Sequence, residues 1–501
     1  MTTHDPEPVS DPAPETLVLL RLGAELTLKA RRTRTQFVQR LVRNIGDALD
    51  AAGAANRIDT EWGRLFVRLG DPAAMPVLGR VFGLSSYSTV ERVVPADLDA
   101  IVEAGTALFT GRVRDRHFAV RARRAGRHPF NSRDIEVRLG AALLPASAGV
   151  RLDDPEFTAH VEVREREAYL FAGRAESAGG LPLGVEGRAV ALLSGGFDSA
   201  VAAWLVMKRG VALDYVFCNL GGDAYERSVL QLAKVLADEW SYGTRPRLHV
   251  VDFTEPVRRM RETVRQGYWQ VVLKRLMYRA ATRVGTELGA AAIVTGEAIG
   301  QVSSQTLANL HAIEPAAGLP VFRPVIGFDK EEIIRRARTI GTAALSEQVR
   351  EYCAIAPGHP VTATTPARID TEERDLDPGV LEAATAERRV LDLRALHPTD
   401  LVAPYLFTDR IPDDAVVFDC RPPAQYRAWH LPGAVRQDEW ELLRAIPGLD
   451  RNRTYVLYCA HGIQTAYLAE RMQRAGIEAH SFRGGMRGVL AFARERGIAA
   501  D

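Results

Sequence analysis

The chain has 501 residues, enough for about three or four domains on the usual length prior. At 47% hydrophobic and 25% charged residues it has ordinary globular composition, which excludes fibrous and wholly disordered classes. With 64 basic and 63 acidic residues the net charge is +1, so the chain is not a general polycation and any nucleic-acid surface must be a local patch.

The N-terminus, Thr2 to Glu15, is acidic and Pro-rich and reads as a disordered tail (1–15) rather than a secretory signal. Leu17 to Leu22 reads as a strand, and a helical pattern follows with Phe37, Leu41, Ile45 and Leu49 on one face. From Val77 to about Phe171 a second α/β unit is predicted. It has helices at Asp97–Phe109 and Asn131–Leu144, the latter with Ser132 as N-cap. Its strands are His117–Arg124 and a closing hairpin, Phe157–Val163 with Ala168–Phe171. Gly173 to Gly187 reads as a linker. Strands then alternate with helices: strands at Arg188–Leu193, Leu213–Cys218, Leu248–Phe253 and Ala291–Thr295, helices at Ala200–Arg209, Ala224–Trp240, Tyr268–Leu288 and Lys330–Ile340. Asp329 and Glu332 have capping-box spacing. This alternation predicts a doubly wound parallel sheet. A Pro- and charge-rich linker, Thr362 to Asp377, and a charged helix, Val380 to Leu396, lead to a last α/β unit. That unit has strands at Ala415–Cys420, Thr454–Cys459 and Ala479–Phe482 and a helix at Gln464–Ala475. No apolar run is long enough to span a bilayer, and the expected location is cytoplasmic.

Three stretches carry chemistry. Ser194-Gly195-Gly196-Phe197-Asp198-Ser199 joins a strand to a helix, the arrangement that offers backbone N–H groups and a positive helix end to a phosphate. Asp198 beside a phosphate calls for a bridging Mg²⁺. No resident metal ligand is assigned. Strand ends at Leu192, Leu193, Phe217 and Cys218 are placed to read a base through the backbone. Gly296 permits close approach, Lys274 can neutralise phosphate charge, and Gln305 lies in a polar turn. Second, Cys459-Ala460-His461-Gly462-Ile463-Gln464-Thr465 sets a cysteine in a tight loop before a helix, where the dipole and converging N–H groups stabilise a thiolate. The other cysteines are read singly: Cys353 in Arg350-Glu351-Tyr352-Cys353 as a candidate partner thiol, Cys420 as a core residue before a resolving thiol. Third, residues 112–138 hold nine Arg against Asp115, Asp134 and Glu136, a local charge of +6. Arg112, Arg121, Arg123, Arg124, Arg127 and Arg133 are the candidate RNA-backbone contacts.

In this order the parts resemble the tRNA 4-thiouridine synthetase family (ThiI) in its long form with a C-terminal rhodanese domain. The resemblance rests on Ser194–Ser199, Asn219–Gly222, Leu273-Lys274-Arg275, Thr295-Gly296-Glu297, Ser304-Gln305-Thr306, Glu351-Tyr352-Cys353 and, in the last unit, the Cys459 loop with Arg483-Gly484-Gly485-Met486. It implies an α/β multidomain chain: a ferredoxin-like domain (16–75), a THUMP RNA-binding domain (76–175), a PP-loop ATP pyrophosphatase domain (176–365), a linker and helix (366–400) and a rhodanese domain (401–501). It also implies ATP with Mg²⁺, adenylation of uridine 8 of tRNA, and sulfur delivery from a Cys459 persulfide loaded by a cysteine desulfurase. A Cys353–Cys459 disulfide follows in that scheme. The family loop commonly carries Arg near the position of His461. Sulfur supply to a thiazole-synthesis carrier protein and a homodimer are further states that the resemblance allows. The alternatives are a carrier for thiazole synthesis alone and a non-catalytic RNA-binding scaffold.

Overall fold

The computed structural model describes residues 15–61, 64–220, 222–347, 360–397, 401, 406–460 and 462–498. It divides into two compact units, one of Met1–Lys29, Ala48–Gly79 and Gly83–Gly179, the other of Ala30–Asp47, Arg80–Phe82 and Gly180–Asp501.

The first unit holds two five-stranded sheets. In one, Thr16–Leu22 lies between Arg64–Leu69 and Leu84–Thr89, antiparallel to both, and Asn56–Glu61 and Ala175–Glu176 form the edges. The expected boundary at residue 75 therefore cuts this sheet, because Leu84–Thr89 returns to pair with the first strand. The expected linker after residue 173 likewise contains an edge strand. In the other sheet His117–Ala125 runs parallel to Phe157–Arg164, which forms an antiparallel hairpin with Glu167–Phe171. The Leu98–Val113 and Ser132–Leu143 helices send Ile101, Phe109, Ile135 and Leu139 into its core. The cap of the second helix is Asn131 and not Ser132. Its side chain accepts from the N–H groups of Arg133 and Asp134, and Asp134 answers at the Asn131 N–H.

The second unit is built on a six-stranded sheet, Val321–Phe322, Ile293–Val294, Arg188–Leu192, Ala212–Asn219, Arg247–Asp252 and Arg389–Asp392 in spatial order. The first five are parallel, and the sixth is an antiparallel edge. That edge strand corrects the expected single helix over 380–396: a shorter helix, Pro378–Ala386, ends and the chain turns back into the sheet. The supposed linker 362–377 contains the Pro366–Glu372 helix, with Thr365 as cap and Pro366 in its first turn. Arg265 holds Glu372, and Arg275 holds Asp370 at 2.6 Å and Glu373 at 3.0 Å. These residues belong to the nucleotide domain, which runs past the expected end at 365.

The last domain is a parallel five-stranded sheet ordered Phe407–Thr408, Ala479–Phe482, Tyr455–Tyr458, Val416–Asp419, Val435–Arg436. At one strand end the buried Asp419 carboxylate takes Arg421 in a two-pronged pair, and Arg421 donates onward to the Trp429 carbonyl. Among the described residues no helix is long and apolar enough to cross a membrane.

Candidate nucleotide, sulfur and RNA sites

The loop after Arg188–Leu192 is closed by its own serines. The Ser194 N–H donates to Ser199 Oγ at 3.1 Å, and that hydroxyl donates to the Ser194 carbonyl at 3.0 Å. Ser199 is 7% exposed, and its hydroxyl braces the loop. The Phe197–Met207 helix starts at Gly196 with no side chain capping it, which leaves the first-turn N–H groups for an anion. Gly296, at the end of the neighbouring strand, presses on this turn. A Cβ there would lie 2.4 Å from the Ser199 nitrogen and 2.5 Å from the Asp198 carbonyl carbon.

Asp198 faces outward from that first turn. Gln301 Nε2 donates to it at 3.1 Å and Lys330 Nζ at 3.2 Å, and the Lys330 ammonium also lies over the Phe197 ring. Sequence reasoning missed both partners. Lys330 begins a helix capped by Asp329 on the carboxyl edge of the sheet, which is the one signal that could have found it.

The other predicted nucleotide residues converge on the same edge. The Leu193 N–H is spent on the Val216 carbonyl, Leu192 is half-buried, and Phe217 and Cys218 are core residues. Gln305 is 9% exposed and its Oε1 accepts from the Ala298 N–H, so it braces the 296–301 turn. Ser303 donates to Gln270 at 2.6 Å, which sets that turn beside the face of the Trp269–Glu287 helix that carries Lys274 four residues on.

The sulfur loop is equally built. Cys459 ends Tyr455–Tyr458 and is 3% exposed. Its Sγ accepts from the Gly462 N–H at 3.2 Å and lies 3.5 Å from Thr465 Oγ1. Thr465 shares a 2.8 Å hydrogen bond with Ser481, which donates to the Gly462 carbonyl. Gly462 has φ of 84°, a backbone state that favours glycine. The Met486 N–H closes the loop on the Cys459 carbonyl at 2.9 Å. Cys420 is half-buried and not a core residue as expected. Cys353 and His461 lie outside the described residues.

In the first unit Arg112, Arg121, Arg123, Arg127 and Arg133 are exposed and Arg124 is half-buried. Arg112 is spent in a pair with Glu91, and Arg121 donates to the Leu152 carbonyl at 2.5 Å. Sequence reasoning missed a second ring of arginines beside them: Arg21, Arg64 and Arg164 around Glu162, and Arg174 on Ser86. His160 stacks on Phe171. Burial, then the charges of Arg21, Arg174, Arg121 and Arg123, push its imidazole down to about 4.

Four family descriptions match the chain in order: ThiI ferredoxin-like domain (17–88), THUMP domain (95–172), Thiamine biosynthesis protein (ThiI) (184–377) and Rhodanese-like domain (404–491). The tRNA sulfurtransferase of Pyrobaculum aerophilum is 37% identical over 473 residues, 93% of this chain and 96% of that protein. That of Desulfurococcus amylolyticus is 39% identical over 471 residues, 93% and 97% respectively. The crystal structure of a 4-thiouridine synthetase–RNA complex with bound ATP superimposes with a TM-score of 0.67 at 31% identity, over 75% of this chain and 99% of that one.

Proposed function

Because the chain belongs to the tRNA sulfurtransferase (ThiI) family, we propose that it is an ATP-dependent enzyme making 4-thiouridine at uridine 8 of tRNA. The observation that carries this reading is the nucleotide loop pressed into shape by Gly296 in the same chain as a cysteine held by converging donors.

ATP binds with its phosphates at the start of the Phe197–Met207 helix. The uridine 4-oxygen attacks the α-phosphorus and pyrophosphate leaves. Lys330, resting on Asp198, exchanges that partner for phosphate oxygens when the nucleotide arrives. Among the described residues no group of three acidic, histidine or cysteine side chains could hold a metal. Where Mg²⁺ accompanies the nucleotide, Asp198 would be the side chain that holds it, and the ion would neutralise charge on the departing pyrophosphate. The terminal sulfur of a Cys459 persulfide, loaded by a cysteine desulfurase, then attacks C4 and AMP leaves; a second thiol attacks Cys459 Sγ in the resulting C4–S–S–Cys459 adduct, which frees 4-thiouridine and leaves a protein disulfide. The exposed arginines of the first unit hold tRNA phosphates, and tRNA as substrate supports a cytoplasmic site of action.

The test is a single turnover. Enzyme persulfidated on Cys459 is mixed with unmodified tRNA transcript and ATP. One 4-thiouridine per tRNA, with AMP and pyrophosphate in equal yield, is expected. Sulfur that stays on protein while ATP is untouched would refute the reading. The description of the central family as a thiamine biosynthesis protein favours a second acceptor, a carrier protein of thiazole synthesis. A thiamine requirement in a strain lacking this chain tests that branch.

A further inference from the structure

The 296–301 turn brings Gly296 against the nucleotide loop and Gln301 onto Asp198, yet the strand that delivers it, Ile293–Val294, is two residues long. It pairs over those two residues with Arg188–Leu192 on one side and with Val321–Phe322 on the other. The Thr295 N–H adds a bond to the Phe322 carbonyl at 3.0 Å, and the Ile299 N–H one to the Ile326 carbonyl at 3.1 Å. So few backbone bonds leave a strand end free to open locally. Gly296 nevertheless has to stand where an added Cβ would meet backbone at 2.4 Å.

Just beyond both short strands lies a buried polar cluster. Glu297 is 2% exposed. Its Oε2 accepts from Thr295 Oγ1 at 3.0 Å, from Arg323 Nε at 2.9 Å and from the Tyr278 hydroxyl. Arg323, the residue after Val321–Phe322, also donates from Nη2 to the Tyr278 hydroxyl at 2.9 Å and to Glu314. Tyr278 is wholly buried. Burial, and next the Glu297 charge, push its phenol up, so the hydroxyl stays protonated and donates. The other Glu297 oxygen, Oε1, is buried with no hydrogen-bond partner among the described residues. A buried carboxylate left partly unsatisfied is costly, and an apolar side chain would fill the space at less cost. What it would not supply is three bonds of fixed direction meeting at one atom, one residue beyond Gly296. The same helix face holds the far end of the turn. Gln270 and Tyr278 lie eight residues apart on Trp269–Glu287, two turns along one face. Gln270 accepts from Ser303 at 2.6 Å. Gln301, which reaches Asp198 at 3.1 Å, lies between these two anchors.

We propose that the Glu297–Tyr278–Arg323 cluster positions the nucleotide loop: it fixes the end of Ile293–Val294 so that Gly296 and Gln301 hold the first turn of the Phe197–Met207 helix in its phosphate-binding shape. The inference rests on this loop being the ATP site. Glu297, Tyr278 and Arg323 are positioning residues, acting through Gly296 and Gln301.

The experiment is hydrogen–deuterium exchange of the full-length protein, read by mass spectrometry without ATP or tRNA, so its outcome is independent of adenylation and thiolation. Tyr278→Phe keeps the ring and removes only the hydroxyl shared by Glu297 and Arg323. Glu297→Gln keeps the shape and removes the charge. Both should speed exchange in the 194–200 and 296–305 peptides about tenfold, the equivalent of one lost hydrogen bond, while the 247–252 strand of the same sheet keeps its native rate. With ATP and tRNA transcript present, both should lower kcat for AMP release about tenfold and leave KM for ATP within about twofold, because a displaced turn costs orientation more than binding. If Glu297→Gln does not fold, Tyr278→Phe decides alone. Native exchange at 194–200, exchange raised equally at 247–252, or a native kcat each overturn the proposal.

Discussion

Gly296→Ala is the most direct test of the nucleotide site, because its effect follows from distances. The added methyl would sit 2.4 Å from the Ser199 nitrogen, 2.5 Å from the Asp198 carbonyl carbon and 2.7 Å from the Ser199 Cα. All three are backbone atoms, so no rotamer change relieves the clash. Reaching ordinary contact takes a shift of about 1 Å between the strand end and the first turn of the Phe197–Met207 helix. A misplacement of that size at a reacting centre costs on the order of 10²-fold in rate, or about 2.7 kcal/mol of transition-state stabilisation. The assay is kcat/KM for AMP release with saturating tRNA transcript. Gly46→Ala, at a helix position with nothing within 4 Å, is the control and should leave activity and melting intact. Gly296→Ala with native kcat/KM would refute the claim that this glycine shapes the phosphate loop. A variant that has lost its melting transition would report folding instead, so circular dichroism accompanies the kinetics.

Asp198→Ala should abolish thiolation of tRNA while leaving persulfide loading of Cys459 intact; turnover by that variant at limiting Mg²⁺ would exclude a metal contact at Asp198. Reversing Arg123, Arg127 and Arg133 to Glu should weaken tRNA binding and lower the slope of log K against log salt by roughly one for each lost phosphate contact, with ATP affinity unchanged; an unaltered slope would make this a solvated face. His160 should titrate by NMR at about 4. Its native form stays neutral where the unfolded chain binds a proton, so its contribution to stability is present above about 6.5 and falls as pH drops toward 4. A midpoint near 6.5 would contradict the arginine-lined burial described for it.

The parts of the fold that were legible in the sequence are those with a local cause. The strand, glycine turn and helix at 188–207 could be read because each residue type has its own backbone reason to be there. The Asp329–Glu332 capping box could be read because it is a reciprocal pair three residues apart. Leu84–Thr89 was misassigned because its partner, Thr16–Leu22, lies far away in sequence, and pairing of that kind leaves no local pattern. Arg389–Asp392 failed for a related reason. Its residues suit a charged helix, and only the open edge of Arg247–Asp252 turns them into a strand. The same limit applies to chemistry. The Cys459 loop announced itself, but Lys330 on Asp198 and Arg80 on Glu239 are meetings across 132 and 159 positions of the chain, and no spacing rule predicts them.

The last prediction concerns Cys353, proposed as the thiol that completes sulfur transfer. The Ile463–Arg474 helix that follows the Cys459 loop packs against Ala343–Ser346 at the amino edge, whereas the nucleotide loop is at the carboxyl edge; the Gly222–Trp240 helix that runs between the two edges spans roughly 28 Å. The stretch 362–377, expected as a linker, holds a helix that is pinned by Arg265 and Arg275. The described chain stops at Glu347, beside the rhodanese domain, and resumes at Pro360. The next N–H, of Val361, donates to the Gly267 carbonyl, before the start of the Trp269–Glu287 helix and so at the carboxyl edge. Cys353 follows Glu347 by six residues, a reach of at most about 20 Å. If Cys353 resolves the transfer, its thiolate attacks Cys459 Sγ after the persulfide sulfur has bonded to C4 and AMP has left. That releases 4-thiouridine and leaves a Cys353–Cys459 disulfide, which an added dithiol reduces for the next turnover. Cys353→Ala should accept sulfur on Cys459 at the native rate yet stall in transfer, while Cys459→Ser should accept none. Peptide mapping of enzyme quenched during turnover without reductant is decisive. Cys459 paired with Cys420 or Cys218, or left as a free thiol while thiolation continues, would remove Cys353 from the reaction.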